Sequence, residues 1–480
     1  MKKENFKEGS FWSITQMDSQ KVVRIYTEKL IDFVSKELGF YNYKDMYGNY
    51  QLVKVEEGSI VEEVQLEELK QAVKFYIRNT AKEEEVWAEF ARSNYINDHF
   101  ISLMEVLPEI KFNTSTKEQA VFYFKNCVVI IKAKPPIETV SYKDFNGYVW
   151  KKQIIPRNYK PNKNFEDSIF NKFLSKVSGS KEKYISLISI LGYLLHPYKD
   201  PSLSKAVILL DEKMDSSGEA FGGTGKGVIA EAIKNFIPTV FKDGKTFNHK
   251  ETFIYDNVRP FHRLVIFDDV KKDFDFEILY SMITGDMNVK RKYKDSKTFN
   301  YETSPKVLII SNYMVKGSGG TTDERRRVEF ELTPYFNQQH TPIAEFKHLL
   351  FKEWNENEWS LFDCFMLRCV AYYLKNGLIT IPSLTLLQNK VMIETHPEFV
   401  EFMNDTIEPN VGYDKSILLN DFKTLSPANK FISSITFKKW IDKWATYQNY
   451  DLKHFKSNGQ TKVIFSLKTS IENQETESKN

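Results

Sequence analysis

The segment Ala220–Gly227 (AFGGTGKG) constrains the fold more than any other part of the chain. It follows an apolar run, KAVILLD (205–211), and opens a stretch of helical periodicity, GVIAEAIKNF (227–236). A glycine-rich turn between a buried strand and a helix aims backbone N–H groups and the helix N-terminus at one point, and phosphate is what such a point binds. Gly222, Gly223, Thr224, Gly225, Lys226 and Gly227 are therefore the candidate nucleotide-binding residues, with Lys226 supplying charge to the β- and γ-phosphates. The pattern departs from the P-loop pattern at both ends. Ala220 stands where a first glycine is expected, and Gly227 stands where a Ser or Thr hydroxyl would hold magnesium. A GK turn also occurs as an ordinary loop, so the decision rests on the residues downstream of it.

Two further apolar runs end in polar side chains. LVIFDDV (264–270) ends in a pair of carboxylates, with Asp268 lying 42 residues after Lys226. A nucleotide-hydrolysing site needs one acid for the magnesium shell and often a second to polarise the attacking water. Asp268 is the candidate metal residue and Asp269 the candidate water residue. KVLIISN (306–312) ends in Asn312, which can hydrogen-bond the water or the γ-phosphate from a neighbouring strand end. As a lone residue, Asn312 would read as the start of a turn. Next, DERRRVEFEL (323–332) sets Arg325, Arg326 and Arg327 before an alternating strand. In a ring ATPase one of them can stabilise the transferred phosphoryl group of an adjacent copy. The sequence does not say which, and a solvated basic turn competes for the rest.

Between the acids and Asn312 lies TGDMNVKRKYKDSKTFNYE (284–302). Within 290–297, Lys290, Arg291, Lys292, Lys294 and Lys297 stand against a single acid, Asp295, and alternation about Asp295-Ser296 predicts a hairpin. Tyr293 and Phe299 can stack on bases while the cations follow phosphates. A solvated charged loop is the plainer alternative.

These features, in this order, resemble superfamily 3 helicases, and more narrowly the helicase part of phage and plasmid primase-helicase proteins. The resemblance covers about residues 150–380, with the flanks matching loosely. It implies a P-loop, AAA+-like α/β core built on a parallel sheet, with a helical collar and small flanking domains. ATP and Mg2+ are the implied cofactors, and Lys226, Asp268, Asp269 and Asn312 the implied catalytic groups. An arginine among 325–327 would serve in trans, and 290–297 would be a hairpin in the pore of a homo-hexamer.

Composition sets the remaining bounds. With 41% hydrophobic and 27% charged residues, the chain is ordinary for a globular protein. No run of 18 apolar residues predicts a membrane span, and the polar N-terminus predicts no secretory signal. The expectation is a cytoplasmic protein of a bacterial or phage-infected cell. Cys127, Cys364 and Cys369 fit neither a disulfide framework nor zinc spacing. The net charge of +3 says little, but residues 411–470 hold ten lysines against four aspartates, a net of +6. That segment resembles a winged helix, with Lys438, Lys439 and Lys443 as DNA contacts.

The expected division is an N-terminal mixed α/β module (1–140), a helical collar (141–200), the ATPase core with its following helices (201–380), a winged-helix-like module (381–470) and a disordered tail (471–480). FYFKNCVVIIKAK (122–134) reads as one strand and YGNYQLVKVEEG as a hairpin. The first 150 residues show no paired carboxylates of the kind two-metal nucleotidyl transfer needs, so a primase would be a separate partner. The expected function is a ring helicase that translocates on single-stranded DNA and opens forked DNA. The alternatives are a nucleotide-gated, DNA-binding replication initiator and a ring ATPase that remodels DNA or protein without unwinding.

Overall fold

A computed structural model describes residues 6–467, other than 18–19, 45–49, 108–111, 113, 135, 213–222, 292–293, 318–320, 382–390, 393 and 458–459. The expected tail at 471–480 lies outside the described residues.

Five strands form one parallel sheet: β1 (Ala206–Asp211), β2 (Thr239–Asp243), β3 (Leu264–Val270), β4 (Lys306–Ser311) and β5 (Arg327–Leu332). The order is β2-β3-β4-β1-β5, and every neighbouring pair is parallel. The chain leaves β1 for the far edge, returns through β3 and β4, and passes β1 to reach β5. The winding reverses beside β1, and in an open parallel sheet such a reversal leaves a crevice at the carboxyl ends of the strands.

The apolar runs form these strands because both faces are covered. Val207, Leu209, Leu264, Ile266, Leu308 and Ile310 belong to a core shared with the helices α1 (Ile169–Ser178), α2 (Lys181–Leu195), α3 (Lys226–Lys234) and α4 (Glu356–Asn376). Ile208, Leu210, Val265, Phe267, Val307 and Ile309 face a second core, with Phe276, Met282, Met287, Val289 and Phe299. Each fully buried aliphatic side chain contributes roughly 1.5–3 kcal/mol. The helices of the expected collar thus share one core with the sheet. Cys364 and Cys369 are buried in α4, and Gly377, with a positive φ of 73°, ends that helix.

The strands Met287–Arg291 and Lys294–Phe299 pair as the expected hairpin, but its turn lies earlier than expected. Arg291 and Lys294 are the closing pair, and Asp295 and Ser296 belong to the second strand. Burial sets the register: Met287 lies opposite Phe299, and both are buried with Val289. A turn at Asp295-Ser296 would set Phe299 opposite Lys292 instead. Buried lysines fasten the base of the hairpin. Lys199 Nζ donates to Met282 O at 2.8 Å and Ser304 Oγ at 2.6 Å, and Lys306 Nζ donates to Tyr193 O at 2.6 Å and His196 O at 2.7 Å, at the end of α2. His196 is buried there, and burial and the Lys306 charge push its imidazole down to about 3.

The N-terminal region mixes helices and sheets around its own core, which includes Phe11, Phe33, Leu69 and Phe100. Two expectations are corrected here. Gln119–Phe124 and Cys127–Lys132 are two antiparallel strands, with Lys125-Asn126 turning between them, because Asn favours turns. Tyr50–Glu56 is a single strand between Phe40–Lys44 and Ile60–Glu63, because its neighbours on both sides supply antiparallel partners.

Toward the C-terminus, α5 (Pro397–Thr406), α6 (Lys415–Leu425) and α7 (Ser434–Tyr447) enclose a separate core with the strands β6 (Gly412–Asp414), β7 (Tyr450–Ser457) and β8 (Gln460–Leu467). The sheet order is β6-β8-β7. Among the described residues no helix is long and apolar enough to cross a membrane.

Candidate nucleotide site at the carboxyl edge of the sheet

Three strands end in polar side chains at one edge: β1 at Asp211, β3 at Asp268 and Asp269, and β4 just before Asn312. The glycine turn faces that edge. Gly223 and Gly225 have φ of 78° and 105°, a region that costs other residues steric strain. At Gly225 a side chain is also excluded by space, because a Cβ would lie 2.5 Å from Phe173 Cζ of α1. The core behind the loop therefore fixes the loop's path. Helix α3 begins at Lys226, so its free N–H groups point into the crevice. Ala220 and Gly222 lie outside the described residues.

Lys226 is buried, at 6% exposure. Its Nζ lies 2.5 Å from Asp211 Oδ1, an ion pair that lacks the alignment of a hydrogen bond. Burial pushes the ammonium down, while Asp211 first, then Asp269 and Asp268, pull it back up. The Thr224 hydroxyl also donates to Asp211. Asp211 was not among the residues singled out from the sequence.

The register of β3 on β4 breaks between Phe267 and Val270, and Asp269 at this bulge has φ of 52°. Asp269 Oδ1 accepts from Asn312 Nδ2 at 3.1 Å, and Oδ2 pairs with Lys245. Lys245 is the second residue that sequence reading missed. It stands on a turn after β2, which Asp243 closes by accepting from Lys245 N at 2.9 Å and Thr246 Oγ1 at 2.9 Å. Gly244 lets that turn lie on the bulge: its N–H donates to Asp268 O at 2.6 Å, and a Cβ would stand 2.6 Å from Val270 Cα. Asp268 is half-buried. Burial, and then the neighbouring Asp269 charge, push its carboxyl above the usual range.

This arrangement fits a divalent cation. Burial and the neighbouring Asp269 charge disfavour the Asp268 carboxylate, a divalent cation relieves it, and Asp268 would hold that cation. Among the described residues no group of three or more His, Cys, Asp or Glu side chains cages a metal. Phosphate oxygens and water would complete the shell, as magnesium prefers.

The arginines lie elsewhere. Arg327 is level with Ala206 and Leu332 with Asp211, so at about 3.3 Å per residue Arg327 is roughly 17 Å along the sheet from the site. Arg327 donates to Val315 O at 3.1 Å and faces Glu329 at 3.6 Å. Arg326 donates to Thr322 O at 2.9 Å and lies over the Tyr280 ring. Arg325 is exposed and has no hydrogen bond or ion pair among the described residues.

For the DNA candidates, Lys290, Lys438 and Lys439 are exposed. Lys443 pairs with Glu394 at 2.8 Å. Lys292 and Tyr293, and the side chains of Arg291, Lys294 and Lys297, lie outside the described residues.

A family model described as "Family of unknown function (DUF5906)" matches residues 220–327, a span that holds Lys226, both acids, Asn312 and all three arginines. No curated protein matches the chain. Among solved structures, the apo A form of the NrS-1 C-terminal region is similar at 13% identity and a TM-score of 0.40, covering 92% of this chain and 99% of that one. A JCV helicase with a bound small molecule is similar at 13% identity and a TM-score of 0.24, covering 58% and 67%. Drosophila ORC bound to DNA is similar at 11% identity and a TM-score of 0.19, covering 65% and 93%. Matches this distant carry neither a fold nor an activity to this chain.

Proposed function

We propose that the chain is an ATP-driven ring helicase, working on single-stranded and forked DNA during replication of a phage, plasmid or mobile element. One observation carries this reading: the carboxyl ends of β1, β3 and β4 bring Lys226, Asp268, Asp269 and Asn312 around the N-terminus of α3.

In this reading the loop amides, including those of Gly222 and Gly223, and Lys226 bind the phosphates of ATP. Asp268 would hold magnesium, which would supply charge neutralisation for the phosphates. Asp269 accepts a proton from the attacking water, and Asn312 fixes the direction of that carboxylate. The cation for the transition state comes from another copy, because Arg325–Arg327 stand at the opposite end of the sheet. Arg325 is the one whose guanidinium is unspent among the described residues. Assembly into a ring, proposed as a homo-hexamer, is then required by the chemistry.

The hairpin 287–299 would track the strand through the pore, with Lys290, Arg291, Lys292 and Lys294 on phosphates. The two helices α6 and α7 followed by the hairpin β7–β8 support a winged-helix reading of the module at 381–470, with Lys438, Lys439 and Lys443 as backbone contacts. The remaining proposed parts are an N-terminal module (1–140), a collar (141–200) and an ATPase core (201–380). A cytoplasmic setting and a separate primase complete the reading.

Steady-state ATP turnover with and without single-stranded DNA, beside Lys226→Ala, tests it, followed by strand displacement on a fork. DNA-stimulated turnover that the variant lacks supports a motor. Normal turnover in Lys226→Ala removes the site. Gly227 favours a second reading, a nucleotide-gated DNA-binding initiator, because no hydroxyl follows Lys226. ATP binding without turnover would select it. Turnover without strand displacement would select a remodelling ring.

A further inference from the structure

The buried carboxylate at the end of β1 has no part in the chemistry above. Asp211 is 1% exposed. One of its oxygens takes both the Lys226 ammonium, at 2.5 Å, and the Thr224 hydroxyl. The other, Oδ2, is buried with no hydrogen-bond partner among the described residues. Lys226 and Thr224 are themselves 6% and 4% exposed. An anion already sits where two loop groups converge, and it belongs to the chain.

We propose that Asp211 is a built-in competitor of nucleotide: its carboxylate holds Lys226 while the site is empty and gives it up when a phosphate arrives. The inference rests on the nucleotide-site reading above. A buried ammonium needs a counter-charge. In the empty protein Asp211 supplies it. In the loaded protein the phosphates do, and Asp211 becomes a second buried anion beside them. Two effects then act in the same direction. Binding must break the Lys226–Asp211 pair, and it must bring negative charge toward a fixed carboxylate. Asp211 therefore weakens nucleotide binding in exchange for a stable empty site, which speeds release of the spent nucleotide. Strand β1 fixes its position, since Asp211 lies in register with Leu332 of β5.

The test uses the full chain and three variants: Asp211→Asn, Lys226→Met and the double variant. Asparagine keeps the shape and an acceptor for Thr224 but loses the charge. Binding of ATP and of inorganic pyrophosphate is measured by calorimetry without added metal, and the melting temperature is measured on the empty protein. Asp211→Asn is expected to bind both ligands at least roughly fivefold tighter, the low end of typical coupling between linked sites, and to melt lower when empty. The double variant is expected to melt above Asp211→Asn, because it removes the unpaired buried charge. Unchanged or weaker binding in Asp211→Asn overturns the inference. So does a double variant that melts no higher, or that fails to fold. Lys226→Met separates this failure from that of the underlying reading. Wild-type affinity in Lys226→Met removes the nucleotide site itself. Lost affinity there, with no tightening in Asp211→Asn, removes only the competitor.

Discussion

Asn312 donates through Nδ2 to Asp269 Oδ1 at 3.1 Å, from the end of one strand to a bulge on the next. Together with the Lys245 ion pair on Oδ2, the contact fixes the direction of the Asp269 carboxylate. Asp269→Asn is expected to lower ATP turnover roughly 100- to 10,000-fold, the usual range for a lost general base. Asn312→Ala is expected to lower it less, because the base survives and is still held by Lys245. Both variants should still bind ATP in a filter or fluorescence assay. Undiminished turnover in Asp269→Asn would remove its assigned role.

Gly227 leaves open space: a Cβ built there meets nothing within 4 Å. Serine therefore fits without repacking and restores a hydroxyl after Lys226. Gly227→Ser is expected to raise magnesium-dependent turnover. It should also stabilise the protein by about 0.5 kcal/mol, the cost of glycine in a helix relative to serine. Kinetics across a magnesium titration checks the first expectation and thermal melting the second. Unchanged magnesium dependence would show that water and Asp268 already suffice.

Arg325 is expected to act on a neighbouring copy. Arg325→Ala should lose turnover by roughly a thousandfold or more while keeping ATP binding. Mixing it with Lys226→Ala should restore part of the lost turnover, because some boundaries then pair an intact loop with an intact arginine. No recovery on mixing would argue against action in trans. Arg327→Ala should lower the melting temperature instead, since Arg327 is held by Val315 O and by Glu329.

Acid is expected to destabilise the fold through His196. Its imidazole lies at about 3 in the folded protein, against 6.5 unfolded. The unfolded chain therefore binds the extra proton first, and stability falls as the pH drops from 6.5 toward 3. By pH 5 the loss from this one group is about 2 kcal/mol. His262, pushed down to about 4 by burial and nearby arginines, acts in the same direction. Melting temperatures between pH 7 and pH 5 read the effect, and His196→Gln should flatten the slope. An unaltered slope would place the acid sensitivity elsewhere.

Much of the site was legible because its strands share a pattern. AVILLD, LVIFDD and VLIISN are all apolar runs ending in a polar side chain. The second ending drew notice by its paired carboxylates, and the third, Asn312, by its place one strand after them. The first, Asp211, was masked by the adjacent glycine turn, which already accounts for a phosphate site without it. Lys245 gave no such signal. It is an exposed lysine in a turn, and only the bulge at Asp269 brings a carboxylate to it. The hairpin was legible as a hairpin, but the charges on 290–297 hid its register, which Met287 and Phe299 set from its ends. Strand order could not be read at all, since nothing local in β5 announces that it pairs with β1.

The sheet that separates the arginines from Lys226 is also a stiff rod between them. If phosphate tilts one end of β1, β5 tilts with it, and in the ring proposed above the arginines would move against a neighbouring copy's pocket. Each copy would then report its occupancy to the next without a relay of side chains. By the same geometry the place of the damage depends on the defect: in the proposed ring a missing lysine would spoil a copy's own pocket, and a missing arginine the adjoining one. If occupancy is passed from copy to copy in this way, inhibition on mixing should rise faster than the fraction of dead chains.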